Sequence, residues 1–168
     1  MNDTLFAQDF AKELEAESPA SIKCLERIPS EKFGFKPHER SMEMGSLALL
    51  VAEIPAWISY TLANPFIDFA TYQHDKATTA QELADLFKKN AAKAKEALLA
   101  LKEGILDQPF ALKKDGKVLL ESTRREQLSS MINHLVHHRG QLTVYMRLND
   151  IMVPSIYGPS ADDKSFTA

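Results

Sequence analysis

Apolar residues recur along this chain at three- and four-residue spacing in four long stretches, the pattern of amphipathic α-helices. The first stretch spans 4–28, with Leu5, Phe6, Phe10, Leu14, Ile22, Leu25 and Ile28 on its buried side. Pro19 falls inside it and is expected to kink or split the helix, because its ring removes a donor and crowds the preceding turn. The second covers 44–63, where Leu47, Leu50, Val51, Ile54, Trp57, Ile58 and Thr61 form one stripe. Trp57 is expected in the core, Pro55 predicts a bend, and Asn64-Pro65 ends the helix. The third starts at Thr78 or Thr79 and runs to Leu101, with Leu83, Leu86, Phe87, Ala94, Leu98 and Leu101 inward. Thr79 followed by Glu82 has the capping-box pattern, and Gly104 is the expected stop. The fourth runs over 123–149.

The period changes between these stretches. A polar connection occupies 29–42, and 66–74 is aromatic and irregular, a lid or packing loop over one end of the helices. Two short extended runs in 110–120 flank Asp115-Gly116, which predicts a small hairpin or extended excursion. From Ile151 onward, Pro154, Gly158 and Pro159 forbid a regular helix, so the tail is expected to wrap the surface in extended form. With no internal repeat and no flexible linker, residues 1–168 read as one all-α domain, a four-helix bundle with a hairpin-like excursion and an extended tail.

Composition narrows the function classes. The 168 residues are 45% hydrophobic and 26% charged, a globular balance, and six glycines suit helices better than a turn-rich β protein. A formal charge of -3 with no basic stripe argues against nucleic-acid binding. Cys24 is the single cysteine, so a reducing compartment is expected, with Cys24 itself a small buried hydrophobe. The N-terminal residues show no basic segment followed by an apolar stretch, and no run is expected to reach membrane-spanning length; a cytoplasmic protein is the expectation.

The candidate chemistry lies on the fourth helix, in Asn133-His134-Leu135-Val136-His137-His138-Arg139-Gly140-Gln141. His134 and His138 are four residues apart and leave one helix face a turn from each other, a spacing that offers two imidazoles to one metal ion. Met131, Leu135, Leu142 and Tyr145 share that arc, while His137 lies at its edge. The pair is therefore expected to face the interior or a pocket, where lost hydration favours neutral imidazoles. Core histidines bonded to each other, to water or to a carbonyl fit the same spacing. Arg139 is expected to pair with a carboxylate or tail carbonyl, Gln141 to bond at the pocket rim, Tyr145 to pack or turn its hydroxyl into the pocket, and His38 to shape a turn. Motifs for phosphate cradling or a serine nucleophile are absent.

Four segments together resemble one family. Lys36-Pro37-His38-Glu39-Arg40-Ser41-Met42, Gly45-Ser46-Leu47-Ala48, the histidine segment, and Val153-Pro154-Ser155-Ile156-Tyr157-Gly158-Pro159-Ser160-Ala161-Asp162 resemble the DinB family of damage-inducible proteins, with its YfiT-like members and thiol-dependent transferases. The resemblance implies an up-down-down-up bundle, often a homodimer, with zinc or nickel held by three histidines. Two of these map onto His134 and His138. The third belongs to a helix-two pattern, Leu-Ala-x-His-x-Ala-Glu-x-Pro, which here reads Leu47-Ala48-Leu49-Leu50-Val51-Ala52-Glu53-Ile54-Pro55. Leu50 stands in the histidine's place and has no lone pair to offer.

Three outcomes stay open at this level. The site has decayed to an apolar-floored pocket; or two histidines are completed by another group, Glu53 being the nearest carboxylate; or a ligand comes from the 66–74 loop, where His74 is the candidate, or from a partner subunit. The corresponding functions are a divalent-metal-dependent thiol transferase or hydrolase, a site for a small apolar or aromatic ligand, with a thiol as a further ligand class, and a non-catalytic, stress-related dimer.

Overall fold

The computed structural model describes residues 2–165 and consists of four long helices and one small sheet. The helices are α1 (Asp3–Glu26), α2 (Met44–Ala63), α3 (Ala80–Leu99) and α4 (Arg124–Leu148), and the strands are β1 (Phe66–Asp68), β2 (Pro109–Lys114) and β3 (Lys117–Thr123). Helix α2 runs on through Pro55, and helix α1 is continuous through Pro19, so α1 is not split there. Its first turn is held from outside: the Glu103 carboxylate accepts from the backbone of Asp3 and Thr4. Helix α4 begins with a full capping box, Thr123 Oγ1 accepting from Glu126 N and the Glu126 carboxylate accepting from Thr123 N at 2.8 Å. In α3, Thr79 caps Glu82 N as expected, but the Glu82 carboxylate reaches one residue further back, to the Thr78 N–H and hydroxyl.

Helix α1 packs on α3, α3 on α2, α2 on α4, and α4 back on α1. Side-chain contacts fix the directions. Glu15–Lys95 and Glu26–Lys88 make α1 and α3 antiparallel. Arg124 bonding Leu62 O and Tyr145 bonding Met42 O do the same for α2 and α4, whereas Asp3–Arg125 and Glu17–Arg139 run α4 parallel to α1. The order is up, down, down, up. Helix α2, the core element, is by length and composition apolar enough to cross a membrane (20 residues, mean hydropathy 1.4), a run that the sequence reading did not register; half of that stretch is buried inside the protein.

The expectation of an all-α protein needs correction. Strand β2 pairs antiparallel with β3 across Asp115-Gly116, where both residues have positive φ, and this much matches the hairpin reading. But β2 also pairs parallel with β1, which lies in the segment expected to be irregular. The partner of Phe66 is Ala111, far along the chain, so no local pattern announces the strand. Asp68 ties the two ends of this mixed sheet together: its carboxylate accepts from Asp115 N at 3.1 Å and Gly116 N at 2.7 Å, clamping the hairpin turn to the end of β1.

Residues 152–165 of the tail form no regular helix, as expected, and are pinned to the helices. Arg147 on α4 pairs with Asp162, and Arg27 bonds Met152 O and Asp163. The sequence motif around Gly45 has a packing reason: a Cβ there would lie 2.9 Å from the Phe33 ring, which closes over the start of α2.

Candidate ligand site at the histidine pair

Met131, Leu135 and Leu142 are buried along α4, so the face that carries His134 and His138 does turn inward, and both rings are partly covered. The two Nε2 atoms are 2.8 Å apart, and His138 Nδ1 lies 2.8 Å from Gln141 Oε1. A carbonyl oxygen only accepts, so His138 carries its proton on Nδ1. Its Nε2 then accepts the bond from His134 Nε2–H. Burial, followed by the nearby charges of His138 and His137, lowers the His134 pKa and favours its neutral form. His137 is exposed at the edge of the arc. The Tyr145 hydroxyl does not enter a pocket: it donates to Met42 O at 3.2 Å.

His134 borders a cavity of about 150 Å³ between α2, the sheet and α4. Helix α2 supplies Trp57 and Tyr60, the β1 segment Ile67 and Phe69, β2 Phe110 and Leu112, and α4 Met131. The His134 and Trp57 rings lie 5.6 Å apart. Trp57 is thus only partly buried, a wall of the cavity and not the core residue that the stripe predicted. Most polar groups on the α4 side are already engaged: Gln127 Nε2 donates to Ser122 Oγ at 2.9 Å, and Ser130 Oγ donates to Gln127 O at 2.7 Å.

Glu53, the carboxylate considered as an additional metal ligand, is turned elsewhere. It is 2% exposed, with one oxygen 2.8 Å from His74 Nδ1 and the other accepting from Asp75 N. His74, the alternative third ligand, is therefore the partner of Glu53. Between them Tyr72 packs edge-on against Trp57, Tyr60 and His74, so the strap from 69 to 78 is clasped over the outer side of Trp57. The antiparallel run of α2 along α4 brings Leu50 to the level of the histidine turn, and Leu50 is packed against the apolar core.

The remaining residues singled out above have structural partners. Arg139 is 1% exposed and meets the Glu17 carboxylate at 2.6 Å, Glu17 O, Ser21 Oγ and the Tyr157 hydroxyl. His38 Nδ1 accepts from Arg40 N within its turn. Cys24 is fully buried, and burial pushes its thiol up to about 11.

The DinB family model matches residues 1–165. The chain belongs to the DinB family. It is 28% identical over 157 residues to the uncharacterized protein YrdA of Bacillus subtilis (strain 168), covering 92% of this chain and 89% of that protein. The crystal structure of a DinB-like protein from Bacillus cereus ATCC 10987 superposes with a TM-score of 0.68 at 25% identity, over 89% of this chain and 97% of that one. The DinB-like protein YjoA of Bacillus subtilis has the same fold, with a TM-score of 0.65 at 22% identity over 84% and 92%.

The donor set of this DinB protein does not fit a three-ligand metal centre. His134 and His138 direct Nε2 at each other, Leu50 has no donor atom, and both Glu53 oxygens are engaged with the strap. Among the described residues, no three His, Cys, Asp or Glu side chains come together as a metal would require.

Proposed function

We propose that this DinB protein binds a small aromatic ligand in the cavity beside His134. The carrying observation is the cavity itself: about 150 Å³, walled by Trp57, Tyr60, Phe69 and Phe110, with one imidazole at its border. An apolar cavity of that order holds a benzene-sized molecule, and a pocket of aromatic walls with few polar groups is the usual form of a small-molecule site. Metal-dependent thiol transfer or hydrolysis, which the family resemblance suggests, would need a third donor where Leu50 stands.

Trp57 is the single tryptophan and lies in the cavity wall, so its emission reports occupancy. Titration with toluene is expected to give a saturable change with a dissociation constant on the order of 0.1–1 mM. Ser130 borders the cavity from an exposed position, so Ser130→Leu should fill part of it without disturbing the core and weaken that binding. Unsaturable, variant-independent quenching would sink the reading.

A further inference from the structure

The occupant's chemistry can be taken one step beyond an aromatic ring, resting on the cavity reading above. We propose that the ligand is phenol-like: an aromatic molecule whose O–H donates a hydrogen bond to His134.

The reason is the direction of the bonds at the histidine pair. Gln141 Oε1 is a pure acceptor and takes the proton of His138 Nδ1. His138 Nε2 is left as an acceptor and takes the proton of His134 Nε2. A neutral imidazole has one N–H, so His134 Nδ1 is a bare lone pair, and no donor among the described residues meets it. His134 is the member of the pair that lines the cavity. The Tyr60 and Thr61 hydroxyls impose no direction, since they both donate and accept, and Gln127 and Ser130 donate to protein oxygens. Two lining residues have a fixed sense: the His134 imidazole accepts, and Trp57 Nε1–H, buried and without a hydrogen-bond partner among the described residues, donates. A hydroxyl that both donates and accepts therefore suits the cavity better than a carbonyl that only accepts. A ligand O–H completes the chain from ligand to His134 to His138 to Gln141. An aldehyde or ketone oxygen at the same place would face the lone pair and be repelled.

Phenol, toluene and benzaldehyde separate these cases, since phenol and toluene have nearly the same shape and benzaldehyde offers only an acceptor. Calorimetric titrations above neutral pH, where His134 is uncharged, give the phenol-to-toluene affinity ratio. That ratio should fall about fivefold in His134→Phe, which keeps a ring and removes the acceptor. Gln141 is exposed, so Gln141→Lys tolerates its new side chain and reverses the chain, the ammonium now donating to His138 Nδ1. The preference should then move from phenol towards benzaldehyde, while Gln141→Glu, still an acceptor, should keep phenol. Toluene that binds normally with a ratio unmoved by His134→Phe, or a preference indifferent to Gln141→Lys, overturns the phenol inference and leaves the cavity reading intact. If none of the three probes binds, both fall.

Discussion

Arg139 and His134 sit on the same helix, five positions apart, and both turn polar groups into the protein, yet the surroundings treat them in opposite ways. Around Arg139 the protein supplies a carboxylate, a backbone carbonyl and two hydroxyls, and Tyr157 from the tail closes the set by donating to Glu17. At His134 the protein stops one partner short and leaves a cavity alongside. A buried polar group whose valences are all met holds structure together. One that is met only in part is available for a ligand.

The largest effect should come from breaking the saturated side. Arg139→Ala leaves Glu17 beside a void with no guanidinium, and removing one member of a buried ion pair costs about 3–5 kcal/mol. Urea unfolding measures it. Arg139→Lys should recover little, because one ammonium cannot reach carboxylate, carbonyl and two hydroxyls together. If Arg139→Ala loses less than about 1 kcal/mol, the network is a surface embellishment and the contrast with His134 collapses.

The next effect is a gain, on the unsaturated side. Leu50→His places a third imidazole at the level of His134 and His138 and should create tight zinc binding. At a hundredfold excess of zinc over the dissociation constant, stability should rise by about 3 kcal/mol, seen as a shift in Tm that the natural protein does not show. Equal stabilisation of both proteins would mean that a donor other than residue 50 completes the site.

Much of this architecture was legible in the chain, and the failures have a common cause. Helical spacing located all four helices because the signal is local: Thr79 and Thr123 cap their helices, and Met131, Leu135 and Leu142 are buried as their arc required. The Asp115-Gly116 hairpin was legible for the same reason. Strand β1 was not, since its pairing with β2 depends on chain brought in from a distance, and the sheet side of the cavity wall (Ile67, Phe69, Phe110 and Leu112) went unseen with it. Trp57 fits a helical stripe equally well as core or as cavity wall, and only the sheet opposite decides. Leu50 was found by comparing motifs, not by periodicity, to which leucine at that place is ordinary. Glu53 and His74 were weighed separately as metal ligands; that they are partners of each other depends on the strap's path.

The clasp itself gives a smaller effect that bears on the same contrast. Glu53→Gln keeps the shape, removes the charge and weakens the bonds to His74 and Asp75 N, at a cost of about 1–2 kcal/mol. Hydrogen exchange should quicken at 73–78, a stretch in which Asp75 N–H is bonded to the Glu53 carboxylate and Thr78 N–H to Glu82. Trp57 emission should shift as Tyr72 loosens against it. Unchanged exchange with unchanged emission would show that aromatic packing holds the strap and that Glu53 does not.

Acid should produce the smallest effect, and its sign tests whether His134 is neutral in the folded protein. Burial, with the charges of His138 and His137, places its folded pKa below the ordinary value of 6.5. The unfolded chain therefore takes up this proton first as pH falls, and unfolding is favoured by that uptake. The contribution of a neutral His134 is present in full above the ordinary histidine range. It is lost progressively as pH drops from there through the depressed folded value, and below that it changes no further. His134→Phe has no proton to take up, so its stability should decline less than that of the natural protein across this window, with the two curves parallel at higher pH. The ring is partly open to solvent, which keeps the difference modest and makes the comparison of slopes more informative than any single midpoint. If His134→Phe instead declines more steeply, the folded protein binds the proton more tightly than the unfolded one. His134 would then be charged in the folded protein, with no lone pair left for a phenolic O–H.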